Sequence, residues 1–252
     1  GYTILHLLSE GFDAVVVDDH RSDDDTPRIL EELSSLYPGR VFVHRIEDCR
    51  FMQKQWINRL LCYAYECGAY AVLPFDADEL HYNYVDERNV AEVLRNAESD
   101  VVGMPVWEHM PSNIDDGDEP NPYRRILWRR EERNSIDKIA CRCLKGMTID
   151  HGYHRALDHE GIQILGEAVG IGVRHFPVRS LQQFVAKAYR ASAVIDTMDM
   201  PPESAVHWRR MANISKHGGF DACVATYRKH CLCNPDTIFG TVLDPAPYLR
   251  MP

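Results

Sequence analysis

Short β-branched runs alternate with amphipathic helices through residues 11–80, and this alternation restricts the fold more than any other feature of the chain. Asp13-Ala14-Val15-Val16-Val17 has the pattern of a buried strand. An acidic stretch follows, and Asp25 or Thr26 can cap a helix with Pro27 at its first position. Ile29, Leu30, Leu33 and Leu36 then recur at helical spacing until Tyr37-Pro38-Gly39 stops them. Residues 41–44 read as a second strand, residues 52–66 as a helix closed by Gly68, and residues 71–75 as a third strand. This βαβαβ order predicts an α/β fold, with a Rossmann-like, mainly parallel sheet flanked by helices.

The first and third of these strands run into carboxylates: Asp18-Asp19 after one, Asp76-Ala77-Asp78-Glu79 after the other. In a parallel sheet both ends lie on one edge, where open α/β sheets bind ligands. Clustered carboxylates repel one another unless a cation sits among them. Hard oxygen donors suit Mg²⁺ or Mn²⁺, with ligand phosphates completing the shell. The competing reading is a solvated acidic turn, and the short Asp-x-Asp motif alone does not decide between the two.

The net charge of −10 argues against general nucleic-acid binding, which needs a basic face. No apolar run reaches the roughly 18 residues of a membrane-spanning helix. The eight cysteines are expected as free thiols, since the pairs Cys141/Cys143 and Cys231/Cys233 are spaced poorly for zinc. Residues 2–8 look like the end of an amphipathic helix with Gly11 as its C-cap, which leads us to expect a further strand ahead of Gly1.

Beyond residue 80, a helix is expected over 87–96 and strands over 100–107, 123–130 and 138–143. The acidic, Gly- and Pro-containing stretch 113–121 reads as a mobile loop. Arginines of the 123–130 strand and Lys138 can meet an anion. His151, His154 and His159 stand close to Asp150, Asp158 and Glu160. A strand ends at His175, and Ser180 can cap a helix holding Phe184, Ala188 and Ala191. Pro201-Pro202 breaks the helical pattern, which resumes over 204–212 and 220–230 around a turn at Gly218-Gly219. Residues 236–252 read as a Pro-rich trailing strand or tail.

Three of these segments together resemble family 2 glycosyltransferases of the GT-A fold, in their bacterial branch. Val15-Val16-Val17-Asp18-Asp19-His20-Arg21-Ser22-Asp23-Asp24-Asp25-Thr26 is similar to the family's first strand-and-acid signature. Asn58, Gly68-Ala69-Tyr70 and Leu73-Pro74-Phe75-Asp76-Ala77-Asp78-Glu79 resemble its Asp-x-Asp-Glu segment. His175-Phe176-Pro177-Val178-Arg179-Ser180, followed by Gln183-Phe184 and Lys187, resembles a third.

The resemblance implies one GT-A-like domain over 1–252, with a nucleotide-sugar half (1–107) and an acceptor half with C-terminal helices (108–252). It implies transfer of a sugar from a nucleotide sugar, UDP-linked by default, to a hydroxyl of a carbohydrate or glycolipid acceptor, with inversion. Asp19 or Asp18 would contact the base or ribose, with Ser22 beside them. Asp76, Asp78 and His175 would hold Mn²⁺ or Mg²⁺, with Arg179 and Lys187 on the phosphates. Glu79, His154 and Asp158 are the catalytic candidates: Asp158, like His159, as a base, His154 on a segment that approaches the donor or acceptor, and Glu79 orienting the metal shell or donor sugar. The setting implied is cytoplasmic, with peripheral attachment at the inner membrane face as a variant. Two alternatives stand beside this: a phosphohydrolase of haloacid dehalogenase type with Asp76 as nucleophile, and a non-catalytic nucleotide- or sugar-binding domain.

Overall fold

The computed structural model describes residues 1–195, 206–233 and 240–244. It begins with helix α1 (Tyr2–Ser9), which buries Ile4 and Leu7 and ends at Gly11 with φ 85°. Strands β1 (Val15–His20) and β2 (Val41–Ile46) pair in parallel, Val15 opposite Val41. Helix α2 (Thr26–Leu36) makes the crossover and buries Leu30 and Leu33 with Ile4, Leu7, Val15 and Val41. Each such side chain contributes about 1.5–3 kcal/mol on burial. Helix α3 (Gln53–Glu66) follows.

The next strand departs from expectation. Strand β3 is only Ala71–Val72, and it runs antiparallel to β8 (Lys138–Arg142) instead of joining β1. Pro74 has no N–H to give a ladder. Leu73 and Phe75 instead pack against the α1–α2 core as the chain leaves that sheet. Glu79 is not a loop residue but opens a new strand, β4 (Glu79–Asn83).

Pro105 likewise splits the long strand expected over 100–107. Helix α4 (Val90–Asn96), capped by Asn89, leads into β5 (Val101–Met104), and β6 (Val106–Met110) continues in a different sheet. The run expected as a strand from Tyr123 begins instead as a helical turn, α5 (Pro122–Arg125), capped by Asn121, and only β7 (Trp128–Arg130) is extended.

Strands β9 (Thr148–Ile149), β10 (Ala156–Leu157) and β11 (Gln163–Ile164) make a small antiparallel sheet. Strand β12 (Glu167–Ala168) joins β5, β8 and β3 in the order β12-β5-β8-β3. Strand β13 (Ile171–His175) lies between β4 and β6 in a five-stranded sheet, β14-β7-β6-β13-β4, whose edge is β14 (Thr241–Leu243). Parallel and antiparallel pairs mix in both larger sheets, so the fold is mixed α/β rather than mainly parallel.

Helix α6 (Leu181–Val194) packs along α7 (Val206–Thr226), with Phe184 and Ala188 against Cys223, and Ala191 against Ala212. Helix α7 is kinked at Gly219, the turn expected there, and the Pro201-Pro202 break lies outside the described residues. The described part of the expected tail is Gly240, β14 and Asp244. Among the described residues no helix is long and apolar enough to cross a membrane.

Candidate functional site

The acidic turn between β3 and β4 is held from below by two hydroxyls. Thr3 Oγ1 donates to the Ala77 carbonyl at 2.8 Å and Tyr123 Oη donates to it at 2.9 Å. The Glu79 N–H donates to the Asp76 carbonyl at 3.1 Å, and the Asp76 N–H donates back to Glu79 Oε2 at 3.2 Å. Phe176 N–H donates to the Asp78 carbonyl at 2.8 Å, which joins the turn to the end of β13. Five hydrogen bonds therefore fix the backbone that carries Asp76, Asp78 and Glu79.

Strand pairing then delivers the other groups. His175 is directly opposite Glu79 in the β13–β4 ladder, and its Nε2 lies 3.8 Å from Asp78 Oδ1. Ser180 caps α6 by accepting from Gln183 N, and further along that helix Lys187 Nζ comes within 3.8 Å of Asp78 Oδ2. Lys138, at the start of β8, donates to Asp76 Oδ2 at 2.8 Å and lies 2.9 Å from Glu79 Oε1. Its ammonium stands over the Tyr153 ring, 4.9 Å from the centroid.

Burial grades these groups. Glu79 is 0% exposed and Lys138 6%. The Asp76, Asp78 and His175 side chains keep 35%, 17% and 24% of their surface. Burial pushes the Glu79 carboxyl up to about 7 against the pull of Lys138, with Asp76 and Asp78 adding to the rise. Burial opposes the Lys138 charge, but Glu79 and Asp76 outweigh it and raise its pKa. Burial lowers His175, against the attraction of Asp78.

His154 belongs to the same neighbourhood. Its Nδ1–H donates to the Asp137 carbonyl at 2.9 Å, a tautomer that leaves a lone pair on Nε2. A side chain at Gly152, where φ is 68°, would come within 2.7 Å of that nitrogen, so the ring depends on glycine there. Burial lowers the His154 pKa, which favours the neutral form.

The sequence-predicted residues thus divide. Asp76, Asp78, Glu79, His175 and Lys187 are brought together, with His154 beside them. Asp158 is not: it sits in the β10–β11 hairpin turn, where Oδ1 accepts from the N–H groups of Glu160 and Ile162. Asp18 and Asp19 lie on a separate two-stranded sheet rather than on one edge with Asp76. Asp18 is taken up by Arg59 at 2.7 Å, and buried Asp19 accepts from the Ser22 N–H. Helix α6 still links the two acidic loops, since Arg190, one turn after Lys187, reaches Asp23 at 2.6 Å. Arg179 lies beside the Tyr123 hydroxyl.

Sequence reasoning gave Lys138 only as a contact for an anion. Its buried position between two carboxylates is matched in the sequence by a lysine directly before the apolar run Ile139-Ala140-Cys141. Tyr153 entered only as part of the histidine-dense segment His151-Gly152-Tyr153-His154.

No protein-family model matches the chain, and no curated protein matches it. Among the described residues no three His, Cys, Asp or Glu side chains form a ready metal cage. What exists is a two-donor pair, Asp78 and His175, beside Asp76. Such a pair suits a hard divalent ion that takes its remaining ligands from water and phosphate oxygens.

Proposed function

We propose that the chain is a metal-dependent glycosyltransferase of GT-A type, which moves a sugar from a nucleotide sugar to an acceptor hydroxyl with inversion. One observation carries this reading. Asp78, His175 and Lys187, assigned to the donor diphosphate from motifs far apart in the chain, meet at one carboxylate: His175 and Lys187 each stand 3.8 Å from Asp78.

In this reading Asp78 and His175 hold Mn²⁺ or Mg²⁺, and Asp76 stands by. The ion, when bound, neutralises charge on the departing diphosphate. Lys187 sits beside the same carboxylate and can meet a phosphate oxygen, with Arg179 nearby on the segment that leads into α6. Asp19 shapes the loop through Ser22 that would receive the base or ribose. His154 is the better base, since its Nε2 lone pair is free of the Asp137 bond and its pKa is lowered by burial. Glu79 holds the turn and does not face solvent.

Thermal-shift titration with UDP, GDP and TDP, each with and without Mn²⁺, tests this. A ligand that binds only the folded state raises its stability by mass action. Stabilisation that needs both one nucleotide and Mn²⁺ is expected. No shift with any pair overturns the reading. Metal-dependent nucleotide binding without any turnover would instead leave a non-catalytic binding domain.

One observation favours the phosphohydrolase alternative. Asp76 is the most exposed of the three carboxylates, and Lys138 lies against it at 2.8 Å, where a cation would also attract a phosphoryl group. Phosphate release from sugar phosphates, lost in Asp76→Asn, would establish that reading in place of the first.

A further inference from the structure

The balance of charge at the site governs how it takes up an ion. Three carboxylates, Asp76, Asp78 and Glu79, face two ammonium groups, Lys138 and Lys187. Lys187 keeps 24% of its side-chain surface and stands 3.8 Å off, so solvent and ligand can replace it. Lys138 is different. Its side chain is 8% exposed, makes contacts of 2.8 and 2.9 Å to two different carboxylates, and rests on the Tyr153 ring. It is a resident cation, bonded to oxygens that a metal would otherwise attract.

We propose that Lys138 holds down the site's affinity for a free divalent ion by neutralising Asp76 and Glu79, so that the ion is taken up together with a diphosphate and not alone. The physical argument is direct. A divalent ion entering beside Asp76 meets a fixed positive charge a few ångströms away, in a setting partly shielded from water, where like charges repel strongly. A diphosphate brings the negative charge that the lysine has cancelled. The ion–diphosphate pair is then the favoured ligand, and the empty site does not capture stray metal. This rests on the ligand class proposed above.

The test is calorimetric titration of Mn²⁺ alone, and of Mn²⁺ with inorganic diphosphate, into the whole chain and two variants. Lys138→Met removes the charge, and Lys138→Gln removes it while keeping a hydrogen-bonding group between the carboxylates. For the unaltered chain, Mn²⁺ alone is expected to bind weakly and diphosphate to tighten it by about tenfold or more. In both variants Mn²⁺ alone is expected to bind at least about tenfold tighter than in the unaltered chain. A variant that is unfolded without the ion and regains its far-UV spectrum on Mn²⁺ addition supports the lysine's role equally.

Variants that bind Mn²⁺ no better than the unaltered chain, or that Mn²⁺ does not refold, overturn the inference. The two claims fail separately. Silence toward every nucleotide with the expected variant order removes the glycosyltransferase reading and keeps the lysine's role. Nucleotide-dependent stabilisation with unchanged variant affinity does the reverse.

Discussion

Arg174 and His175 are neighbours on β13, and they serve two charge clusters on opposite faces of one sheet. Arg174 donates to Asp244 from Nη2 at 2.7 Å and from Nε at 3.2 Å, and Arg129 Nε adds a bond of 2.9 Å. His109, fully buried and stacked on Phe176, borders the group at 3.6 Å from the carboxylate. Burial alone would raise the Asp244 pKa, but His109 and Arg174 outweigh it and hold the carboxyl far below its usual range. On the other face carboxylates outnumber cations, and Asp78 meets its partners only at 3.8 Å. The first cluster is closed, with both arginines in hydrogen-bonding contact. The second is fixed in backbone but open in charge. That difference separates a brace from a site that has capacity for a ligand.

A large expected effect falls on the brace. Asp244→Asn keeps the shape and removes the charge that Arg174 and Arg129 share. Removing one partner of a buried pair costs about 3–5 kcal/mol. Asp244 is partly exposed, so about 3 kcal/mol of lost stability in urea denaturation is expected. The nucleotide-and-Mn²⁺ thermal shift should keep its size. A loss below about 1 kcal/mol would make this cluster no better than a surface pair and would dissolve the contrast.

Acid probes the junction between the two faces. His6, on α1, donates from Nε2 to the His81 carbonyl at 2.6 Å. Burial pushes His6 down to about 4, with Arg174 also lowering it, and pushes His81 down to about 3, with His6 and Lys138 also lowering it. Both lie below the ordinary histidine value of about 6.5, so the unfolded chain binds more protons. The stability they represent is present above about pH 6.5 and is lost as pH falls toward 4 and then 3, by about 3 kcal/mol for His6 alone. Denaturation midpoints at about pH 7 and about pH 4.5 should differ accordingly, and less so in His6→Asn. Equal midpoints would show that α1 does not seal this junction.

How much of this was legible in the sequence depended on the range of the interaction. Local patterns came through: the α1 stop at Gly11, the cap of α6 by Ser180, the strand at Val15 and the strand ending at His175 are set by nearest neighbours in the chain. Sheet membership did not come through. Pro74 and Pro105 were both visible, yet their effect is to move the chain from one sheet to another, which a period-two pattern does not encode. The alternation read across residues 123–130 missed the helical turn at Pro122–Arg125, which Asn121 caps. Asn58 shows the limit most clearly. It entered as a motif residue, and its work is to clamp Ile149 through both amide atoms, a contact across 91 positions.

The open cluster should respond in the opposite way to the brace. Asp78→Ala removes a side chain whose ion pairs are long, while the backbone bonds through Ala77 and the Asp78 carbonyl remain. A stability change within about 1 kcal/mol is expected, together with loss of Mn²⁺-dependent nucleotide binding. Titration calorimetry on the variant checks the second part. Unchanged nucleotide affinity would remove the metal from Asp78.

The smallest expected effect separates the two base candidates. Asp158→Asn keeps an oxygen that can accept from Glu160 and Ile162, so the hairpin turn survives and stability should change by less than about 1 kcal/mol. Its carboxylate makes no hydrogen bond or ion pair to the site among the described residues, so transfer to the acceptor should persist at the level of the unaltered chain. His154→Asn should lower turnover with little change in nucleotide binding, because a base acts on the acceptor proton and not on the donor. A large loss of turnover in Asp158→Asn, with His154→Asn active, would reverse the assignment. It would also mean that the hairpin swings onto the site during reaction, so that the site would include a face of the small β9–β10–β11 sheet.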